Sequence, residues 1–222
     1  MDVITNAIDA LVDITPLYMQ GFLLTLTLLG ISGVGAFILG VFIAAMRISP
    51  VPSLRLFATV YTEILRNIPL LLVLFFCAFV LPILGIDLDY FLLATLGLTL
   101  YTSPFVAEAV RSGFNGVPVG QAEAARSIGM GFTQTVGLVI LPQASRMVVP
   151  PLINVFIALT KNTSVAGAFF VNELFKATGA AARDHGDVVL LTLIYAAALY
   201  LVITVPLGLI AGAIEKKVMV LR

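Results

Sequence analysis

From Val188 to Ile214 the chain carries no Asp, Glu, Lys or Arg, and that run constrains the fold more than any motif does. About 20 consecutive apolar residues reach across the hydrocarbon core of a bilayer. Inside that core every backbone N–H and C=O needs a partner, and a continuous apolar run finds one by forming a helix. Four further runs occupy about residues 17–46, 57–84, 91–114 and 148–171. Composition points the same way: 60% of the residues are hydrophobic and 11% are charged, against roughly 25% charged in soluble domains. The sequence therefore reads as an all-α membrane protein with five transmembrane helices. One domain spans residues 17–214, flanked by a tail over 1–16 and another over 215–222. No basic segment with a short apolar core and cleavage site precedes the first run, so no removable signal peptide is expected.

Charge sets the expected orientation. Arg47, Arg55, Arg111, Arg126, Arg146, Lys216, Lys217 and Arg222 fall on one side of the five runs, and Asp2, Asp9, Asp13, Asp87 and Asp89 on the other. The positive-inside bias then puts the N-terminus outside and the C-terminus in the cytoplasm. Within the first run, Ser32, Ala36, Gly40 and Ala44 recur every four residues, and such a stripe lets another helix approach closely in lipid. Gly208 and Gly212 form a similar small pair in the last run. Cys77, the one cysteine, lies in an apolar stretch and reads as packing. No internal repeat is visible, which weakens the case for a self-contained transporter built from paired halves.

The stretch Gln121–Pro142, QAEAARSIGMGFTQTVGLVILP, differs from everything around it. It reads as a short helix, a glycine turn at Gly129 and a second helix closed by Pro142. Glu123 near the start of the first helix complements its dipole, Ala124 and Ala125 leave room for close approach, and Gly129 permits the turn. A helix resting on lipid headgroups would show an apolar stripe and several lysines, and this one has neither. The hairpin is therefore expected, on the cytoplasmic side, to sit against another protein.

Polar groups at membrane depth are costly and face a cavity or a partner. Glu63, Arg66, Asn67, Glu108 and the run Lys161-Asn162-Thr163-Ser164 are the candidates for lining a substrate path. Mutual neutralisation or snorkelling to the interface accounts equally well for Arg66 and Glu108. Lys161–Ser164 interrupts an apolar run and suggests a broken helix with donors suited to a carboxylate. His185 is the single histidine, so no metal site is expected. No Ser or Cys has a base nearby in sequence, which argues against an intramembrane hydrolase.

Glu123-Ala124-Ala125, Gly129 and Leu141-Pro142 reproduce the spacing of the EAA loop of ABC importer permeases. VYTEILRNIPLLLVLFF from Val60, AEAVRSGFNGVPVGQAEAARSIGM and LPQASRMVVPPLINVFIALTKNTSVAG resemble the polar amino acid branch of that family. The similarity extends from Gly21 onward. Asn162 stands where the branch often has Asp, and Asn67 where it often has Gly, and both departures bear on substrate choice. The resemblance implies the type I ABC importer fold, with a coupling loop at about residues 118–142 in which Glu123, Ala124, Ala125 and Gly129 meet an ATPase. It implies import of polar amino acids by alternating access, glutamate or glutamine first and basic ones next, in a bacterial inner membrane.

The implied partners are two ATP-binding cassette subunits, a second permease subunit (identical or related), an extracytoplasmic substrate-binding protein and membrane lipid, with no role for nucleic acid. The chain has no G-x-x-x-x-G-K-[ST] phosphate loop. It is thus expected to bind no cofactor and to be no enzyme itself, ATP-Mg being used by the partner subunits. A membrane scaffold that binds an ATPase and transports nothing is the second reading, and an unbroken, non-polar segment at Lys161–Ser164 would favour it.

Overall fold

The structure is a computed structural model that describes residues 2–220, with side chains from Asp9 to Lys217. Among the described residues eight helices follow one another: α1 Asp2–Ile48, α2 Pro52–Asn67, α3 Leu70–Ile83, α4 Tyr90–Asn115, α5 Val119–Ser127, α6 Phe132–Phe169, α7 Leu174–Asp184 and α8 Val189–Val220, the last preceded by a 3-10 turn at Gly186–Val188. Helices α1, α4, α6 and α8 are each long and apolar enough to cross a membrane, and the pair α2–α3 brings the number to five if counted as one span.

The pair is bent by 104°, so the run 57–84 is not the single straight span its hydropathy suggests. Pro69 has no N–H and disfavours the helical region for the residue before it, and Ile68 is extended at φ −98°, ψ 147°. Ala58 and Thr62 of α2 are buried while most of its other side chains are exposed. An amphipathic helix of this kind suits the membrane interface.

Residues 2–16 are part of the first helix. The helix α1 is continuous from Asp2, and Ala10, Ile14, Tyr18, Gly21 and Thr25 are buried while Asp9 and Asp13 are exposed. Those buried positions follow the 3.6-residue period. They dock on α7 and α8: Tyr18 donates to the Thr192 carbonyl at 3.0 Å and stacks on Tyr195 with ring centroids 5.0 Å apart, and Thr25 Oγ1 accepts from Leu174 N at 3.2 Å.

Pro142 does not close a helix. The helix α6 runs through it, so the fourth span starts near Phe132 rather than Val148. A π turn over Thr135–Ile140 precedes the proline, and Leu141 N–H bonds back five residues to the Val136 carbonyl. The same device occurs in α3, where Leu81 N–H reaches the Phe76 carbonyl immediately before Pro82. A π turn shifts the hydrogen-bond register by one residue, which accommodates a residue with no N–H to give.

The core lies between α1, α4 and α6. Ser32, Ala36, Gly40 and Ala44 are all buried, and a Cβ on Gly40 would stand 2.6 Å from Val106 of α4. The small-residue stripe is the α1–α4 packing face. Among the described residues, a Cβ on Gly208 of α8 would meet only Ile157 Cδ1, at 4.0 Å, and a Cβ on Gly212 would meet nothing within 4 Å outside its own helix. Cys77 is buried, as read.

Candidate functional site

The hairpin forms as its residues dictate. Helix α5 ends at Ser127, and Gly129 takes φ +84°. Gly129 N–H bonds the Arg126 carbonyl at 2.9 Å and Met130 N–H the Ala125 carbonyl at 3.1 Å. This is the Schellman arrangement, which asks for glycine at that point. Gln134 Oε1 then accepts from Gly131 N–H at 3.1 Å and starts α6. Ala125 is the buried residue of α5, whereas Glu123, Ala124 and Arg126 are exposed. Helix α5 therefore offers a charged, small-residue face that none of the described residues covers.

Mid-bundle, α4 and α6 part to leave a cavity of about 350 Å³ lined by Tyr101, Thr102, Phe105, Asn154 and Asn162 with apolar neighbours. Asn154 and Asn162 bring amide groups, Tyr101 a phenol. The Thr102 hydroxyl is buried with no hydrogen-bond partner among the described residues. Buried hydroxyls without partners are uncommon. The cavity thus combines aromatic walls with convergent polar groups, the usual make-up of a small-molecule site.

About two helical turns along α4 from Tyr101, three arginines from three elements converge on one carboxylate. Arg47 Nη1 of α1 is 2.7 Å from Glu108 Oε2, Arg66 Nη1 of α2 is 3.7 Å from the same oxygen, and Arg111 pairs with Oε1. Arg66 also lies over the Phe105 ring, 5.7 Å from its centroid.

Comparison with known proteins decides what this arrangement belongs to. Residues 36–220 match the family described as "Binding-protein-dependent transport system inner membrane component". The chain belongs to that family. The permease is 40% identical over 220 residues to a protein of Corynebacterium efficiens named "Glutamate transport system permease protein GluC", with 94% of this chain and 96% of the relative covered. It is 42% identical over 210 residues to the "Probable glutamine ABC transporter permease protein GlnM" of Bacillus subtilis, covering 95% and 97%. Among solved structures it resembles an amino acid ABC transporter with histidines at TM-score 0.86 and 30% identity, covering 93% of this chain and 96% of that one. A methionine ABC transporter, MetNI, shares the fold at TM-score 0.69 and 23% identity. The permease thus has the type I importer fold that its resemblance to the family implies, and it is a multi-pass membrane protein.

The candidate path residues divide into four groups. Asn162 lines the cavity. Glu108 and Arg66 meet at the basic end of the bundle in the mutual pairing that was one of the two readings for them. Glu63 and Asn67 are exposed on α2, where Asn67 Nδ2 donates to the Glu63 carbonyl at 2.7 Å. The interruption at Lys161–Ser164 is a change from α to 3-10 turns at Thr163 rather than a gap. Thr163 is fully buried and donates to the Thr160 carbonyl at 2.7 Å, Ser164 donates to the Lys161 carbonyl at 2.7 Å, and Lys161 is exposed.

Two features of the permease carried little signal in the sequence. Tyr101, Thr102 and Phe105 sit in an ordinary apolar run. Glu173, which reads as one of several loop charges, is fully buried as the N-cap of α7. Its carboxylate accepts from Phe175 N–H at 2.8 Å, Lys176 N–H at 2.9 Å and the Tyr200 hydroxyl at 3.0 Å. Burial pushes its pKa above the ordinary carboxylate value, against the downward pull of those donors.

Proposed function

We propose that this permease imports polar amino acids, glutamate or glutamine foremost, through the cavity between α4 and α6. The substrate arrives on an extracytoplasmic binding protein. Two ATP-binding cassette subunits use ATP-Mg and drive alternating access in a dimer of this chain with a second permease subunit. The N-terminus is outside and the C-terminus in the cytoplasm, so the basic end of the bundle and the hairpin face the ATPase. Glu123, Ala124, Ala125 and Gly129 form the ATPase contact. Asn162, with Asn154, Tyr101 and Thr102, lines the path, Lys161 stands one turn beyond Ala158 on the same helix, and Glu63, Asn67 and Glu108 flank the basic mouth.

The observation that carries the reading is the cavity itself: the unpartnered Thr102 hydroxyl of α4 faces a wall that carries Asn154 and Asn162, on the continuous helix that begins in the hairpin. The relatives' names support the substrate class. An unbroken non-polar stretch at Lys161–Ser164 would have favoured the scaffold reading. The 3-10 turns there and the place of Asn162 on the cavity wall speak against it.

Purification in mild detergent from the native host is the test. An ATPase subunit and a second permease subunit should accompany the chain, and the cognate binding protein should take glutamate or glutamine in a direct titration. A chain that comes out alone under several mild conditions would overturn the importer assembly. A binding protein that takes neither amino acid would overturn the substrate.

A further inference from the structure

Three guanidinium groups face one carboxylate at the basic end of the bundle, and they are not equivalent. Arg47 is 2.7 Å from Glu108 Oε2 with its side chain 14% exposed, and Arg111 takes the other oxygen. Each carboxylate oxygen already has a close partner. Arg66 stands 3.7 Å away with its side chain 37% exposed, beyond hydrogen-bond reach. Three cations against one anion leave two positive charges uncompensated (3 − 1 = 2), and Arg66 is the cation least held.

Its position gives that surplus a direction. Arg66 lies over the ring of Phe105, Phe105 packs against Tyr101 with centroids 5.4 Å apart, and both rings line the cavity. Tyr101, Phe105 and Glu108 sit at i, i+4 and i+7 on α4, so they form one stripe running from the cavity to the arginine cluster. A solute leaving the cavity toward the basic end therefore passes Phe105 and meets Arg66. An aromatic face holds a guanidinium in place without consuming its N–H donors, and the planar fork of arginine matches a carboxylate.

We infer that Arg66 is the exit cation of the cavity: a guanidinium parked on Phe105, loosely held by Glu108, that receives a substrate carboxylate as it moves toward the cytoplasm. This inference rests on the proposed function, and it assigns Arg66 a specificity that this function does not require. A substrate with a second carboxylate gains more from Arg66 than its amide does.

The test is uptake of radiolabelled glutamate and glutamine by the complete transporter in proteoliposomes, with binding protein and ATP saturating. Arg66→Gln should lower the maximal glutamate rate about tenfold, the scale of one hydrogen bond to a charged group, and glutamine uptake by less, so the ratio of the two rates falls. Arg66→Lys keeps the charge and should keep the ratio while both rates drop modestly. An equal loss for both amino acids in Arg66→Gln would overturn the inference in favour of a structural role, and so would an unchanged glutamate rate. If Arg66→Gln fails to co-purify with its partners, Arg66→Lys decides, and a ratio that falls in that variant overturns the inference. Uptake of neither amino acid by the unaltered complex would overturn the proposed function and this inference together. Intact uptake with an insensitive Arg66 would overturn this inference alone.

Discussion

Gly40→Ala tests a tightly packed face of the bundle. A Cβ at Gly40 would stand 2.6 Å from both Cβ and Cγ1 of Val106 and 2.7 Å from the Ser103 carbonyl oxygen. Carbon atoms in contact settle at about 3.5–4.0 Å, so α1 and α4 would have to part by roughly 1 Å. Neither neighbour yields cheaply: the Ser103 oxygen is backbone, and valine in a helix holds essentially one χ1 rotamer. Gly30 on the same helix is the control, because nothing lies within 4 Å of its Cβ position. Replacing glycine by alanine inside a helix gains about 1 kcal/mol of propensity. That gain is common to both variants and cancels in the comparison. The difference left is the overpacking cost, about 1–3 kcal/mol. Thermal unfolding in detergent reads it directly, with Gly40→Ala melting at or below the parent and clearly below Gly30→Ala, which melts at or above the parent. Equal melting of the two variants would refute the claim that the stripe is a close-contact face.

Glu123→Arg should reduce ATP-driven uptake to background while the chain still inserts, since it reverses the exposed charge that α5 presents; normal uptake would sink the coupling role. Gly129→Val puts a β-branched side chain at φ +84°, a strain of about 1–2 kcal/mol, and should weaken capture of the ATPase subunit; undiminished capture would show that the turn is dispensable. Glu173→Gln turns an amide NH₂ toward a pocket whose other groups are donors. The expected destabilisation is about 1–3 kcal/mol, read by thermal unfolding, and a melting point equal to the parent's would refute the buried-acceptor account.

What the sequence revealed depended on whether one residue alone could carry the signal. Gly129 was legible because only glycine takes positive φ without strain, and the stripe Ser32–Ala36–Gly40–Ala44 because its period is that of a helix face. The bend at Ile68–Pro69 was signalled by the proline but hidden by the apolar residues on both sides of it, which extend the hydropathy run straight through. Pro142 was misleading for the opposite reason: a π turn, which depends on backbone register rather than side-chain type, lets the helix continue past a residue that ordinarily ends one. The cavity was the least legible feature. Asn162 stands out in an apolar run, but Tyr101, Thr102 and Phe105 acquire a role only when α4 packs against α6. Glu173 was hidden because a loop charge reads as solvated until α1 and α8 close over it.

One continuous helix joins the two places that the proposed function needs to connect. At about 1.5 Å of rise per residue, Asn154 on the cavity wall lies roughly 33 Å along α6 from Phe132 at the hairpin. The helix does not run alone: a Cβ on Gly113 of α4 would clash with Val148 and stand 3.0 Å from the Ala144 carbonyl, so α4 and α6 touch almost backbone to backbone between hairpin and cavity. Helices in contact that close cannot slide independently without opening voids or clashes. Under the proposed function, a push on α5 would move the basic ends of α4 and α6 together, and with them Phe105, Asn154 and Glu108. The π turn at Thr135–Ile140 and the prolines at 142, 150 and 151 are where α6 can bend while doing so. Under the proposed function, the cavity would then open toward the basic end as a unit.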